Sequence, residues 1–131
     1  MNDNTNTSII KSSPGLLKLL HENNTTLDVF RREMLALSCL VAGTSFQKLK
    51  ELEPEMIVGC VFDLKRENDN KFDEKAIEMS FIKNKIGYVP KEKNEVIANL
   101  MDAGKKFSAK LISKDWEGNW LKLVVEVYLN D

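Results

Sequence analysis

The chain has very few of the side chains from which metal centres and nucleophilic active sites are built. It carries one histidine, His21, and two cysteines, Cys39 and Cys60, in 131 residues. With neither Cys-x-x-Cys nor paired histidines, a zinc site would have to be completed by carboxylates. No serine or cysteine has an evident base, and no glycine-rich phosphate loop is present, which excludes an ATPase motif within the chain. Both cysteines lie inside apolar, strand-like runs, which reads as buried free thiols in a reducing compartment. No apolar run approaches the roughly 20 residues of a membrane span. The opening Met1-Asn2-Asp3-Asn4-Thr5-Asn6-Thr7 is not a charged-then-apolar leader, so a soluble, cytoplasmic protein is expected. Charge of one sign is lacking as well. With 19 basic and 20 acidic residues there is no global field, and any contact with a polyanion must come from a local patch.

What is present is mostly β-pattern. The size predicts one domain with a real core and an appendage. Residues 1–33 read as a polar, Asn- and Thr-rich tail and a short helical arm, in which Ser13-Pro14 supplies an N-cap and first helical position ahead of Leu16, Leu17, Leu19 and Leu20. Residues 34–131 read as the main domain. Leu35, Leu37, Cys39 and Val41 alternate along a largely buried first strand ending at Gly43. A second strand spans Met56 to Leu64, with Val58, Cys60, Phe62 and Leu64 on one face. Ala76–Ile82 and Lys85–Val89 form the third and fourth, joined by a tight Lys83-Asn84 turn. Pro90 opens a helix whose buried stripe is Val96, Ile97, Leu100 and Met101, and Gly104 stops it. Phe107–Ser113 and Trp120–Leu129 make a hairpin around Glu117-Gly118-Asn119, with Leu121, Leu123, Val125, Val127 and Leu129 on one face. Six short strands with one helix before the last hairpin predict a mainly β fold with α, a small antiparallel barrel or strongly curled sheet.

One segment is out of keeping with a simple chain reversal. Between two strand-like runs, Asn68, Asp69 and Asn70 supply Asx-type turn chemistry, yet Phe72 and Asp73 follow at once. Either Phe72 folds back onto the core while Asp73 caps a turn, or the pair faces a ligand. The cluster Asn68, Asp69, Asn70, Asp73 and Glu74 also invites a divalent-cation reading, but it lacks the central Gly and twelfth-position Glu of an EF-hand loop. Lys91 and Lys93 sit in a first helical turn, where positive charge is mildly unfavourable unless an anion approaches. Trp116 and Trp120 flank a turn, where cross-strand aromatic packing is expected.

Four pieces occur in order: Val41-Ala42-Gly43-Thr44-Ser45-Phe46, Leu64-Lys65-Arg66-Glu67, Asn70-Lys71-Phe72-Asp73-Glu74-Lys75-Ala76-Ile77 and Ile86-Gly87-Tyr88-Val89-Pro90-Lys91. Together they resemble a HIRAN domain, over roughly residues 34 to 129. The resemblance implies an OB-like barrel that binds single-stranded DNA by its free 3′ end. It implies further that Gly43 lets backbone approach the nucleotide, and that Phe46 and Phe72 stack on terminal bases. Asp73 would accept a hydrogen bond from the terminal 3′-hydroxyl, Tyr88 and Lys91 would face phosphates, Asn70 belongs to the same motif, and Trp120 would offer a further aromatic surface. Ser45 stands where the DNA-binding relative has arginine, both stacking positions are Phe where it has Tyr, and Tyr88 replaces a histidine. Lys48, Lys50, Lys65, Arg66 and Lys91 are the candidates to make up the lost positive charge. The implied protein is a non-catalytic nucleic-acid-binding module of DNA repair or processing. Its expected partners are DNA ends and other repair proteins, with no cofactor, metal or membrane. Two alternatives stay open: a protein-interaction module taking a peptide in the same groove and, more remotely, a metal-dependent nuclease.

Overall fold

The alternation in the last strand dictates where the core lies. Leu121, Leu123, Val125 and Val127 project from one side of β6 (Trp120–Asn130) and are at most 2% exposed. In this computed structural model, which describes residues 33–130, β6 pairs antiparallel with β1 (Glu33–Leu40) and with β5 (Lys106–Glu117). β5 pairs in turn with β2 (Val61–Arg66), β2 with β3 (Ile77–Phe81), and β3 with β4 (Asn84–Tyr88), giving one six-stranded sheet in the order β1-β6-β5-β2-β3-β4. Residues 1–32, with the expected arm, its Ser13-Pro14 start and His21, lie outside the described residues. Among the described residues no helix is long and apolar enough to cross a membrane.

The sheet curls until its two ends meet at one point. Ala42, just past β1, and Tyr88 of β4 exchange both backbone hydrogen bonds at 2.8 Å. This single bridge, rather than a full ladder, makes the OB-like barrel a barrel with an open seam. Gly87 permits the approach. A Cβ there would stand 2.6 Å from Val41 Cγ1 and closer still to the Ala42 carbonyl oxygen. Inside, Phe62 and Phe81 meet edge-to-face with ring centroids 6.0 Å apart, a favoured aromatic geometry. The core also takes in Met56, Ile77, Met79, Ile86, Val89 and Leu111.

Several boundaries differ from the pattern-based expectation. β1 is mostly exposed, with Met34 at 58% and Leu35 at 55%, because it is an edge strand bulged between Leu35 and Leu37. β2 begins at Val61, not Met56. The Glu53–Glu55 3-10 turn, a Cys60 N–H to Ile57 carbonyl turn and Gly59 at φ +96° occupy the preceding residues, leaving Val58 exposed. The β3–β4 turn is centred on Ile82-Lys83, both left-handed at φ 48° and 67°, rather than on Lys83-Asn84. After Pro90 the chain makes a 3-10 turn at Lys91–Lys93, and the α-helix starts only at Glu95, running to Asp102. It buries Ile97 and Ala98 with Met101 half-buried, while Val96 is 70% exposed. Gly104 does end it: the Gly104 and Lys105 N–H groups bond the Met101 and Leu100 carbonyls, both at 2.9 Å, a Schellman closure. β5 is twelve residues long, with a bulge at Ile112. Cys39 is a buried free thiol and Cys60 a half-buried one, and burial pushes both pKa values up.

Candidate nucleic-acid interface

The loop between β2 and β3 is folded by its own polar side chains. The Glu67 N–H bonds the Ala76 carbonyl at 2.9 Å and closes the loop base. Asn70 Oδ1 then accepts from the N–H of Phe72 at 2.8 Å and of Asp73 at 3.0 Å, while Asn70 Nδ2 donates to Glu67 Oε1 at 2.8 Å. Backbone held this way turns the Phe72 ring outward, where it is 90% exposed. The reading in which Phe72 folds back onto the core is therefore overturned. Asp73 points the other way and is anchored, accepting from Lys75 N–H at 2.9 Å and from Asn94 Nδ2 at 2.8 Å. Asn94 is 2% exposed and precedes the helix, so Asp73 ties the loop to the helix start. Each carboxylate oxygen keeps a free lone-pair direction after one such bond.

The facing wall comes from the end of β1. Gly43, left-handed at φ 77°, enters a 3-10 turn at Thr44–Phe46. The buried Thr44 hydroxyl donates to the Leu121 carbonyl at 2.8 Å and pins that turn to the core. The next side chain but one, Phe46, is left 87% exposed. Phe46 and Phe72 flank a cleft of about 750 Å³ whose lining also includes Gly43, Asn70, Asp73, Tyr88 and Lys91. Seven of the nine residues marked out by the sequence thus share one cavity.

The other two do not. Ser45 lines a neighbouring cavity on the far side of the 3-10 turn, together with Lys48 and Lys50. Trp120 is absent from the cleft lining. In register it opposes Glu117, while Trp116 opposes Leu121 and sends its indole N–H to Glu53 Oε1 at 3.2 Å, so the expected pairing of the two indoles is replaced by a polar contact. Arg66 is not available to a phosphate either. Its guanidinium pairs with Asp102 at 2.9 Å and donates to the carbonyls of Ala76 at 2.6 Å and Glu74 at 2.9 Å. Lys65 is absent from the cleft lining and borders an adjoining depression with Lys71 and Glu78. Lys91 remains at the rim, its ammonium 3.4 Å from the Phe72 carbonyl oxygen. Among the described residues no three His, Cys, Asp or Glu side chains gather as metal ligands.

Two residues that the sequence reading missed organise the site. Lys85 Nζ donates to the Tyr88 hydroxyl at 2.5 Å and stands 4.4 Å from the centre of its ring. The Tyr88 hydroxyl donates in turn to Glu67 Oε1 at 2.7 Å. With Asn70 on the same Glu67 oxygen, one hydrogen-bond chain runs from β4 to Phe72 and Asp73 and joins the floor of the cleft to its wall. The Tyr88 bond is the main reason the Glu67 carboxyl is held below its ordinary value, and it also raises the Lys85 ammonium. Burial above all pushes the Tyr88 phenol up. Three residues apart on a regular strand, Lys85 and Tyr88 would face opposite ways. Here Met79 pairs with Gly87 and Ser80 with Lys85, so Ile86 is bulged and the two side chains meet.

A family model for the HIRAN domain matches residues 34–130. The chain belongs to the HIRAN domain family. Among solved structures, this HIRAN domain is similar to a protein from Lactobacillus plantarum, at 21% identity and a TM-score of 0.70 over 77% of this chain and 98% of that one. It is also similar to the HIRAN domain of human HLTF, at 18% identity and a TM-score of 0.56 over 74% of this chain and 78% of that one. At these identities both likenesses speak to the fold. No curated protein matches the chain. HIRAN domains are binding modules, and membership supports DNA binding.

Proposed function

We propose that this HIRAN domain is a non-catalytic module that holds the 3′-hydroxyl end of a single DNA strand, in the service of DNA repair or processing. The observation that carries the reading is the pair Phe46 and Phe72, 87% and 90% exposed, on either side of one cleft. Leaving such a ring in water forgoes about 1.5–3 kcal/mol of burial. Two such rings converging on a cavity fit a partner with flat apolar faces. Bases are such faces, and stacking on an aromatic ring contributes roughly 1–3 kcal/mol per base whatever the sequence. Asp73 supplies the end-reading group. Held by Lys75 and Asn94, its carboxylate is already oriented when a strand arrives. It accepts a hydrogen bond from a terminal hydroxyl and repels a terminal phosphate. Lys91 at the rim meets a backbone phosphate.

Fluorescence-polarisation titration with single-stranded oligonucleotides ending in 3′-hydroxyl or 3′-phosphate tests this. The expected result is at least tenfold preference for the hydroxyl end, lost in Asp73→Asn, whose amide neither repels phosphate nor keeps both anchoring bonds from Lys75 and Asn94. Equal affinity of the wild-type domain for both ends sinks the end-reading role. Binding to neither, with tight binding of an aromatic peptide, transfers the cleft to a protein partner.

A further inference from the structure

We infer that a bound strand does not stop at the cleft but continues over the Thr44–Phe46 turn onto a second subsite made by Trp116, Lys48 and Lys50. This rests on the end-binding reading above and extends it. Two rings seat about two bases, whereas OB-type barrels occupy about 4–16 nucleotides, so the rest of a longer strand must cross the surface beside the cleft.

Among the described residues four depressions share lining residues with the cleft, and in two of them the charges cancel, Lys71 and Lys91 against Asp73 and Glu74 in one and Lys48 and Lys85 against Glu51 and Glu55 in the other. On the Phe72 side lies a depression in which Glu67, Asp69 and Glu78 offset Lys65 and Lys71, and where Arg66 is already engaged by Asp102. That route gives a polyanion no net attraction. On the Phe46 side lies a cavity of about 330 Å³ that adjoins the cleft at Gln47, which lines both. Its charged residues are Lys48, Lys50 and Glu51, a positive balance, and its wall is Trp116.

Trp116 is presented as a platform. It lies 39% exposed, and its indole N–H is fixed on Glu53 Oε1, whose second oxygen is held by Lys114 at 2.6 Å. The surrounding end of the β5–β6 hairpin, residues 115–120, is exposed throughout, so the ring is held in place without serving the core. A ring fixed beside two exposed lysines, next to a base-stacking cleft, has the composition of a sequence-tolerant single-strand path. Ser45 lines this second cavity, where its small side chain leaves room for the backbone of the strand.

The test compares 3′-hydroxyl oligonucleotides of three and ten nucleotides on the full chain by fluorescence polarisation. The wild-type domain is expected to bind the ten-mer at least tenfold more tightly. Trp116→Ala is expected to weaken the ten-mer roughly 5–150-fold, the range of one lost stacking contact, and to leave the three-mer unchanged. Lys48→Gln with Lys50→Gln replaces only exposed side chains. It is expected to make the salt slope of log K shallower by about 1.4 for the ten-mer, about 0.7 per phosphate contact, and not at all for the three-mer. Equal wild-type affinity for the two lengths overturns the second subsite while leaving end binding standing. So does an unaltered ten-mer slope in the lysine variant. Failure of the wild-type domain to bind either length overturns both.

Discussion

Phe72 separates binding from folding unusually well, because 90% of its surface is already in water. Phe72→Ala is expected to cost roughly 1–3 kcal/mol of DNA affinity and to leave the melting temperature unchanged, since exposed substitutions away from caps and cores move stability by no more than about 0.5 kcal/mol. A fall in melting temperature matching the fall in affinity would return the ring to a structural role. Glu67 behaves oppositely, since it orders both Tyr88 and Asn70. Its carboxyl titrates below the ordinary value near 4.5. Its contribution to stability is therefore fully present above that value and is lost as pH falls through the lowered one. Thermal melts of the wild-type domain and Glu67→Gln between pH 7 and pH 3 should show a wild-type advantage that shrinks only on the acid side. An advantage that stays constant to pH 3 contradicts the charge-dependent part of this role. The turn that presents Phe72 and Asp73 is legible in the sequence because the Asx chemistry of Asn70 is local. Glu67 and Lys85 are not, because their roles depend on Ile86 bulging out of β4, which no local pattern announces.

Elements with one dominant signal were read correctly. β6 alternates cleanly because one face is buried and the other is not, and Gly104 stops the helix because φ +99° suits no other residue so well. Errors arose where backbone geometry overrode apolar patterning. The run from Met56 to Val58 is apolar enough for a strand, but Gly59 turns the chain first, so only Met56 is buried. Val96 and Leu100 fit a helical stripe, but the buried face is centred on Ile97, Ala98 and Met101, which leaves both on the exposed side. The same competition marks the Ile82-Lys83 turn, where a β-branched residue and a lysine both hold positive φ. Two-residue hairpins of this kind favour Asn-Gly. The left-handed conformation costs a residue with a Cβ about 1–2 kcal/mol and glycine's extra freedom in the unfolded chain takes back about 0.5–1 kcal/mol, so Lys83→Gly is expected to raise stability by up to about 1 kcal/mol, read as a higher urea midpoint with an unchanged m-value. A lower midpoint would mean that the left-handed conformation at Lys83 costs less than the freedom glycine adds. Gly87 sets the opposite expectation. A Cβ there collides with Val41 and Ala42, so Gly87→Ala must part the bridge that joins the sheet ends. A loss of about 1–3 kcal/mol, the usual cost of overpacking, should come with weaker DNA binding, because Gly43 and Tyr88 lie on either side of that seam.

At the scale of the whole molecule the charges nearly cancel, at a net −1, so encounter with DNA is not steered by a general field. Attraction has to come from a few lysines near one cleft, and the structure removes Arg66 from their number by pairing it with Asp102. Lys91 at the rim and Lys48 and Lys50 beyond Gln47 remain as the phosphate contacts of the proposed path. Three contacts to a single strand give a log–log salt slope of about −2. Raising the salt from about 50 to about 200 mM should therefore weaken the wild-type domain by roughly twentyfold, well short of the 10³–10⁵ of proteins that grip many phosphates. Stacking on Phe46 and Phe72 is insensitive to salt, so a residual affinity should persist at high salt and disappear in Phe46→Ala with Phe72→Ala. A titration series across salt that gives a slope of −5 or steeper would place most of the binding energy on phosphates, contrary to a cleft whose exposed features are two aromatic rings. A flat series would mean that no lysine meets the backbone, and would leave the rings without a polyanion to hold.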